Sequence, residues 1–154
     1  MEFLNFGRTK LLGERFLFWN RKIYKGLQFC CVMIEERLEN IEIENKSNCI
    51  GTAFYLAGLV ETDKIILTSE GYEFVKNLRE VRVPQKKCIA TWQAKVDGEI
   101  MIVHAGIIND DAPLAILNRR EGKFMEEDYW GVNKVYAHKG VSTKFYALDN
   151  VFSK

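Results

Sequence analysis

Apolar residues Ile50, Ala53, Phe54, Ala57 and Val60 recur at the i, i+3, i+4, i+7 spacing of one helical face. Ser47 and Asn48 stand just before them and can accept hydrogen bonds from the first free backbone N–H groups, so the pattern predicts a helix over about 49 to 60. Phe74, Val75, Leu78 and Val81 repeat the helical period, which predicts a second helix opened by Ser69 and running to about 80. Between the two, "KIILT" (64–68) reads as a short strand or an extended connector. Upstream, Val32, Ile34, Leu38 and Ile41 suit a short helix, or the end of one, within 31–41. Residues 3–29 are rich in Phe, Trp and Leu, broken by Gly7, Gly13 and Gly26, and yield no assignment.

After Pro84 the period changes from helical to extended. Residues 87–96 are rich in β-formers and end at Asp97-Gly98, a strong hairpin turn because both positions tolerate positive φ. "EIMIVHAGII" (99–108) is almost continuously apolar, as in a central strand covered on both faces. "NDDAP" (109–113) reads as a turn and "LAILN" (114–118) as the returning strand. "NKVYAHK" (133–139) and "TKFYALD" (143–149) are read as two more strands, with Gly140 near the turn between them. Helices first and an antiparallel meander afterwards make an α+β domain.

At 154 residues, with two prolines and no repeat or linker, the chain reads as one domain over 1–154, in which 1–30 is an N-terminal extension of unassigned structure. The formal net charge is +1, from 22 basic and 21 acidic residues, which gives no basic excess for nucleic acid to recognise. The longest apolar run near the start, "FLFW" (16–19), is far short of a membrane span or a signal-peptide core, so a cytoplasmic chain without membrane association is expected. Cys30 and Cys31 are adjacent, Cys49 and Cys88 are isolated, and only two histidines exist, so no zinc-ligand spacing is present. Reduced, at least partly buried thiols are the expectation for Cys30, Cys31 and Cys88.

Three polar residues bear on chemistry. Cys49 opens the predicted helix, His104 interrupts the apolar strand, and Asn118 ends the next one. If the 109–113 loop closes a symmetric hairpin, 108 faces 114, 106 faces 116 and 104 faces 118, with opposed Cβ atoms ~4.5 to 5.5 Å apart on one side of the sheet. The Asn118 amide oxygen then accepts from one imidazole nitrogen and leaves the other to face the Cys49 sulfur. A helix N-terminus and a nearby imidazolium both lower a thiol pKa, so a Cys49 thiolate is expected if the site is catalytic. The imidazole serves as base and then as acid, Asn118 orients it, and the Cys49 backbone N–H helps hold an oxyanion.

"NCIGTAFYLAG" followed by "VHAGIIND" resembles the NlpC-type branch of the papain-like cysteine peptidases and amidases. Members open the catalytic helix with Asp/Asn-Cys-x-Gly, matched by Asn48, Cys49 and Gly51. They carry the histidine in a strand reading His-x-Gly-Ile, matched by His104, Gly106 and Ile107, with a polar third residue on the following strand, where Asn118 falls. The resemblance spans roughly residues 45–120. It implies a papain-like core with the catalytic helix packed on a small antiparallel sheet, and cleavage of a peptide or isopeptide bond through a thioester. It also implies a Cys49-His104-Asn118 triad, a peptide or amide-containing substrate, and no metal or organic cofactor. The aromatic-Gly-Gly motif usual before the helix and the Gly-Asp-hydrophobic strand usual before the histidine are replaced here by "LENIEIENKS" and "KKCIATWQAK". Two other readings therefore stand beside the hydrolase: a non-enzymatic binding module on the same scaffold, and an acyltransferase using the same residues.

His138, beside Lys139 and Gly140, is the rival histidine and reads as near-surface. Trp92, Tyr129, Trp130 and Tyr136 either line a cleft or pack in the core. "RREGK" (119–123) is read as a solvated turn, the alternative being a patch that attracts an acidic substrate group.

Overall fold

The structure is a computed structural model that describes residues 33–43, 46–149 and 151. The N-terminal extension, Cys30 and Cys31 lie outside the described residues. Residues 33–39 form helix α1, followed by α2 (Cys49–Leu56) and α3 (Thr68–Val75). The chain then enters strands β1 (Glu80–Val81), β2 (Cys88–Val96), β3 (Glu99–Asp111), β4 (Leu114–Arg120) and β5 (Lys123–Asp128). Helix α4 (Tyr129–Tyr136) and strand β6 (Val141–Ala147) complete it. All strands join one antiparallel sheet in the order β1-β6-β2-β3-β4-β5, so the α+β expectation holds.

Strand alternation divides the core between the two faces of that sheet. Ile89, Ile102, Ala105, Ile107, Leu117 and Phe124 pack with Ile34 and Leu38 of α1 and with Ile50, Ala53 and Phe54 of α2. Ala90, Trp92, Ile108, Ile116 and Phe145 pack on the other face with Tyr129 and Val132 of α4. β2 and β3 are thus covered on both sides, which is why "EIMIVHAGII" lacks a polar face.

α2 begins where its cap predicts but ends four residues early. Gly58 takes φ +74° and lets the Leu59 N–H reach back to the Phe54 carbonyl at 2.9 Å, which closes the helix. Ala57 and Val60 remain in the core beyond it, so their apolar spacing reported burial and not helix. The second helix likewise stops short, at Val75. Residues 64–67 form the extended connector. The Asp97-Gly98 turn is present, with φ 50° and 84°.

Two departures bear on the site. The segment 133–139 is not a strand: Asp128 accepts from the Gly131 N–H at 2.8 Å and opens α4. Tyr129, Val132 and Tyr136 then share one helical face. The 109–113 stretch is not the hairpin loop either. β3 runs on to Asp111, which pairs with Leu114 across Ala112 and Pro113. That turn alone would shift the pairing by three residues, and the bulge between Ile108 and Asp110 takes one back, so the register is Gly106↔Asn118, two residues away from the 104–118 pairing of a five-residue loop. A shift of two keeps side-chain parity, so His104 and Asn118 still share a face, now as diagonal neighbours. Asn109 sits at the bulge between Ile108 and Asp110, buried, accepting from Lys87 Nζ at 3.1 Å and donating to Glu126 Oε2 at 2.7 Å.

Candidate functional site

Asn48 builds the head of α2. Its Oδ1 accepts from the Gly51 N–H at 2.8 Å and the Ile66 N–H at 3.3 Å, and its Nδ2 donates to the Ile66 carbonyl at 2.7 Å. One amide thus caps the helix and ties the connector to it. Gly51 is required by that closeness, because a Cβ there would lie 1.5 Å from the Lys64 carbonyl oxygen. Cys49 is the first helical residue, half-buried against the core.

The β3–β4 ladder stops at Gly106↔Asn118, while Arg119 and Arg120 continue pairing only with β5. The Cys49 sulfur sits against the Ala105 backbone N–H, just past the point where that ladder ends. It is also within electrostatic range of Tyr136, which belongs to the layer on the opposite face.

His104 is 1% exposed and lies on the α4 face. Tyr136 stacks on its ring at 3.9 Å between centroids and 5° between planes, and Trp92 tilts against it at 5.3 Å. Trp92 is itself held by donating to Asn133 Oδ1 at 3.0 Å. His104 Nε2 meets Asn118 Oδ1 at 2.9 Å, and Asn118 is 1% exposed. Asn118 Nδ2 donates to Glu127 Oε2 at 2.9 Å, and Arg120 Nη1 donates to Glu127 Oε1 at 2.9 Å. An amide oxygen only accepts, so Nε2 carries the ring proton and Nδ1 is left with its lone pair. The nitrogen able to accept a proton is therefore Nδ1, the one not used by Asn118.

The structure brings His104 and Asn118 into direct contact and sets Cys49 beside the residue that follows His104. No hydrogen bond joins the Cys49 thiol to the His104 ring among the described residues. Burial raises the Cys49 thiol above its ordinary value, against the backbone N–H groups of Ala105, Ile50 and Cys49 itself, which favour the thiolate. The expected thiolate is thus corrected to a neutral thiol: removal from water outweighs the helix end. Burial also pulls His104 down to about 4, opposed by the Asn118 bond and aided by the Arg120 charge. The resting pair is neutral thiol and neutral imidazole.

A histidine held down in the fold must give up stability in acid. Above its ordinary value of 6.5 both folded and unfolded chains carry it neutral; below that the unfolded chain binds a proton that the folded one refuses. Stability is lost as pH falls from about 6.5 and the loss is complete below about 4, on the order of 3 kcal/mol in all. Urea midpoints at pH 7.5, 5.5 and 4, compared between wild type and His104→Gln, isolate this contribution. The wild type is expected to lose more stability than the variant over that interval.

Among the other sequence candidates, His138 is exposed and away from the buried sheet. Trp92 and Tyr129 are core, Trp130 is 58% exposed, and Tyr136 covers the histidine. Arg119, read as part of a solvated turn, is 2% exposed and buried beneath α2. Arg120, like Arg119, falls in the segment read as a solvated turn, and Glu127 had no sequence signal because β5 was not anticipated. Among the described residues no group of three or more His, Cys, Asp or Glu side chains is placed to hold a metal ion. No described helix is long and apolar enough to cross a membrane. No family model, no curated protein and no solved structure matches the chain.

Proposed function

We propose that this chain is a thiol hydrolase of the NlpC-type papain-like class that cleaves a peptide or isopeptide amide through a thioester. Cys49 is the nucleophile, His104 the base and acid, and Asn118 the orienting residue. The observation that carries the reading is the 2.9 Å bond from His104 Nε2 to Asn118 Oδ1, which leaves Nδ1 with its lone pair free to act as a base, on the strand whose next residue, Ala105, meets the thiol. With both groups neutral at rest, Nδ1 takes the thiol proton as sulfur attacks the carbonyl carbon. The C–N bond then breaks and the imidazolium returns the proton to the leaving amine. Water, losing its proton to Nδ1, hydrolyses the thioester and restores the thiol. The Cys49 backbone N–H at the helix head supports the oxyanion. Transfer of the acyl group to an amine or alcohol uses the same steps with a different second nucleophile.

The raised thiol and the absence of a described Cys49–His104 hydrogen bond favour a second reading, a non-enzymatic binding module with an inert cysteine. An activated acyl ester such as p-nitrophenyl acetate separates the two without knowledge of the substrate. The hydrolase forms an acyl-thioester on Cys49, located by peptide mass mapping, which is absent from Cys49→Ala. It forms on the order of a hundredfold more slowly in His104→Gln, the usual weight of a positioned base. Equal acylation in His104→Gln, or none at Cys49 in the wild type, leaves the binding module.

A further inference from the structure

We infer that Glu127 is a positioning residue that fixes the orientation of the Asn118 amide and, through it, which His104 nitrogen holds the proton. The inference rests on the hydrolase reading for its catalytic meaning, but its content is structural and can be measured without turnover.

His104, Asn118 and Glu127 lie on three successive strands, β3, β4 and β5, and on one face of the sheet. Gly106 pairs with Asn118 and Ile116 pairs with Glu127, so each of the three is the diagonal neighbour of the next. Asn118 is fully enclosed, so its amide has two orientations and little water to satisfy the wrong one. In the observed orientation Oδ1 receives the imidazole N–H at 2.9 Å and Nδ2 donates to the Glu127 carboxylate at 2.9 Å. Turned over, the amide would present its N–H to the imidazole and its oxygen to the carboxylate, acceptor against acceptor. His104 itself accommodates either arrangement, because a neutral imidazole donates from one nitrogen and accepts at the other. The histidine therefore does not choose; the carboxylate does, since it can only accept. Arg120 holds that carboxylate in place through its other oxygen at 2.9 Å.

The consequence is chemical. With the amide turned over, Nε2 must accept, the ring proton moves to Nδ1, and Nδ1 has no lone pair for the thiol. One acceptor on β5 thus decides whether the nitrogen left free on β3 is a base.

The test reads the tautomer directly, from the 15N shifts of His104 in uniformly labelled full-length protein. In the wild type Nε2 is expected protonated and Nδ1 not, and a wild type with the proton on Nδ1 overturns the inference without any variant. Glu127→Leu removes the acceptor, so neither amide orientation is selected and the His104 nitrogens are expected to report a mixture of the two tautomers, with acyl-Cys49 formation lowered in proportion to the Nδ1-protonated share. Glu127→Gln keeps one oxygen, which the donor-only Arg120 guanidinium takes, and turns its N–H2 toward Asn118; the Asn118 amide is then expected to turn over, the proton to move to Nδ1, and acyl-Cys49 formation with p-nitrophenyl acetate to fall on the order of a hundredfold. A wild-type tautomer kept in full in Glu127→Gln, or in Glu127→Leu, overturns the inference. A wild type that forms no acyl-Cys49 fails the hydrolase reading instead, and is told apart because the imidazole nitrogens report the effect of Glu127 whether or not the sulfur reacts.

Discussion

Replacing Arg119 by Met lowers stability by about 3 to 5 kcal/mol, the range for removing one partner of a buried ion pair. All five guanidinium N–H groups are in use. Nε donates to Thr52 Oγ1 at 2.8 Å; Nη1 donates to the Ile43 carbonyl at 2.8 Å and the Gly122 carbonyl at 3.1 Å. Nη2 donates to the Glu42 carbonyl at 2.8 Å and to Asp63 Oδ2 at 3.3 Å. Thr52 in turn donates to Asp63 Oδ1 at 2.8 Å. One side chain therefore joins α2, the segment before it, the segment after it and the β4–β5 turn. Met fills the volume but leaves Asp63 with a nearly buried charge and takes a donor from three carbonyls, of which Ile43 keeps the Phe124 N–H. Urea unfolding followed by the fluorescence of buried Trp92 measures the loss. Arg119→Lys, a point charge without the planar fork, is expected to recover less than half of it. A Met variant within ~1 kcal/mol of wild type would show that this network contributes little net stability, as buried ion pairs sometimes do.

Gly51→Ala is expected to cost ~3 kcal/mol or more, at or above the top of the usual overpacking range. The new Cβ would stand 1.5 Å from the Lys64 carbonyl oxygen and 2.7 Å from its carbon, both backbone atoms, and 2.9 Å from Ser47 Oγ. The connector cannot retreat cheaply, because Asn48 holds it on both sides of Ile66. Relief requires the connector and the helix head to separate, which also displaces Cys49. Gly98→Ala is the control: its φ is +84° with nothing within 4 Å of the added carbon, so only the left-handed penalty of about 1 to 2 kcal/mol applies. Comparable losses in the two variants would mean that the connector is loosely held.

The Asn-Cys-x-Gly segment was legible because each of its residues answers to a local need. Asn48 caps the helix and Gly51 makes room for the connector. Gly106 in the histidine strand is similar: a Cβ there would meet the Ile116 side chain at 2.6 Å and the Leu117 carbonyl at 2.9 Å. The His104–Asn118 contact survived an incorrect hairpin length because the loop error of three residues was offset by the one-residue bulge at Asn109, leaving an even net shift that preserves side-chain parity. The reading of 133–139 failed because Val135 and Ala137 fit alternation while Tyr129, Val132 and Tyr136 fit a helix, and the cap that decides between them, Asp128, lies outside the window.

The helices that precede the sheet, the Asp97-Gly98 hairpin and the cap at Asn48 follow from neighbours close in the chain. Propensity, capping and strand parity act over a few residues, so a sequence displays them. Tertiary structure alone decided the protonation of the site. Burial is a property of the assembled layers, and it reversed the direction expected for the thiol while lowering the imidazole. It also decided Glu127 and Arg119, whose partners are brought to them by strand pairing and by the packing of α2. A charged residue looks the same in a sequence whether it ends in water or in a network, because what selects between them is the desolvation cost that only the folded chain imposes.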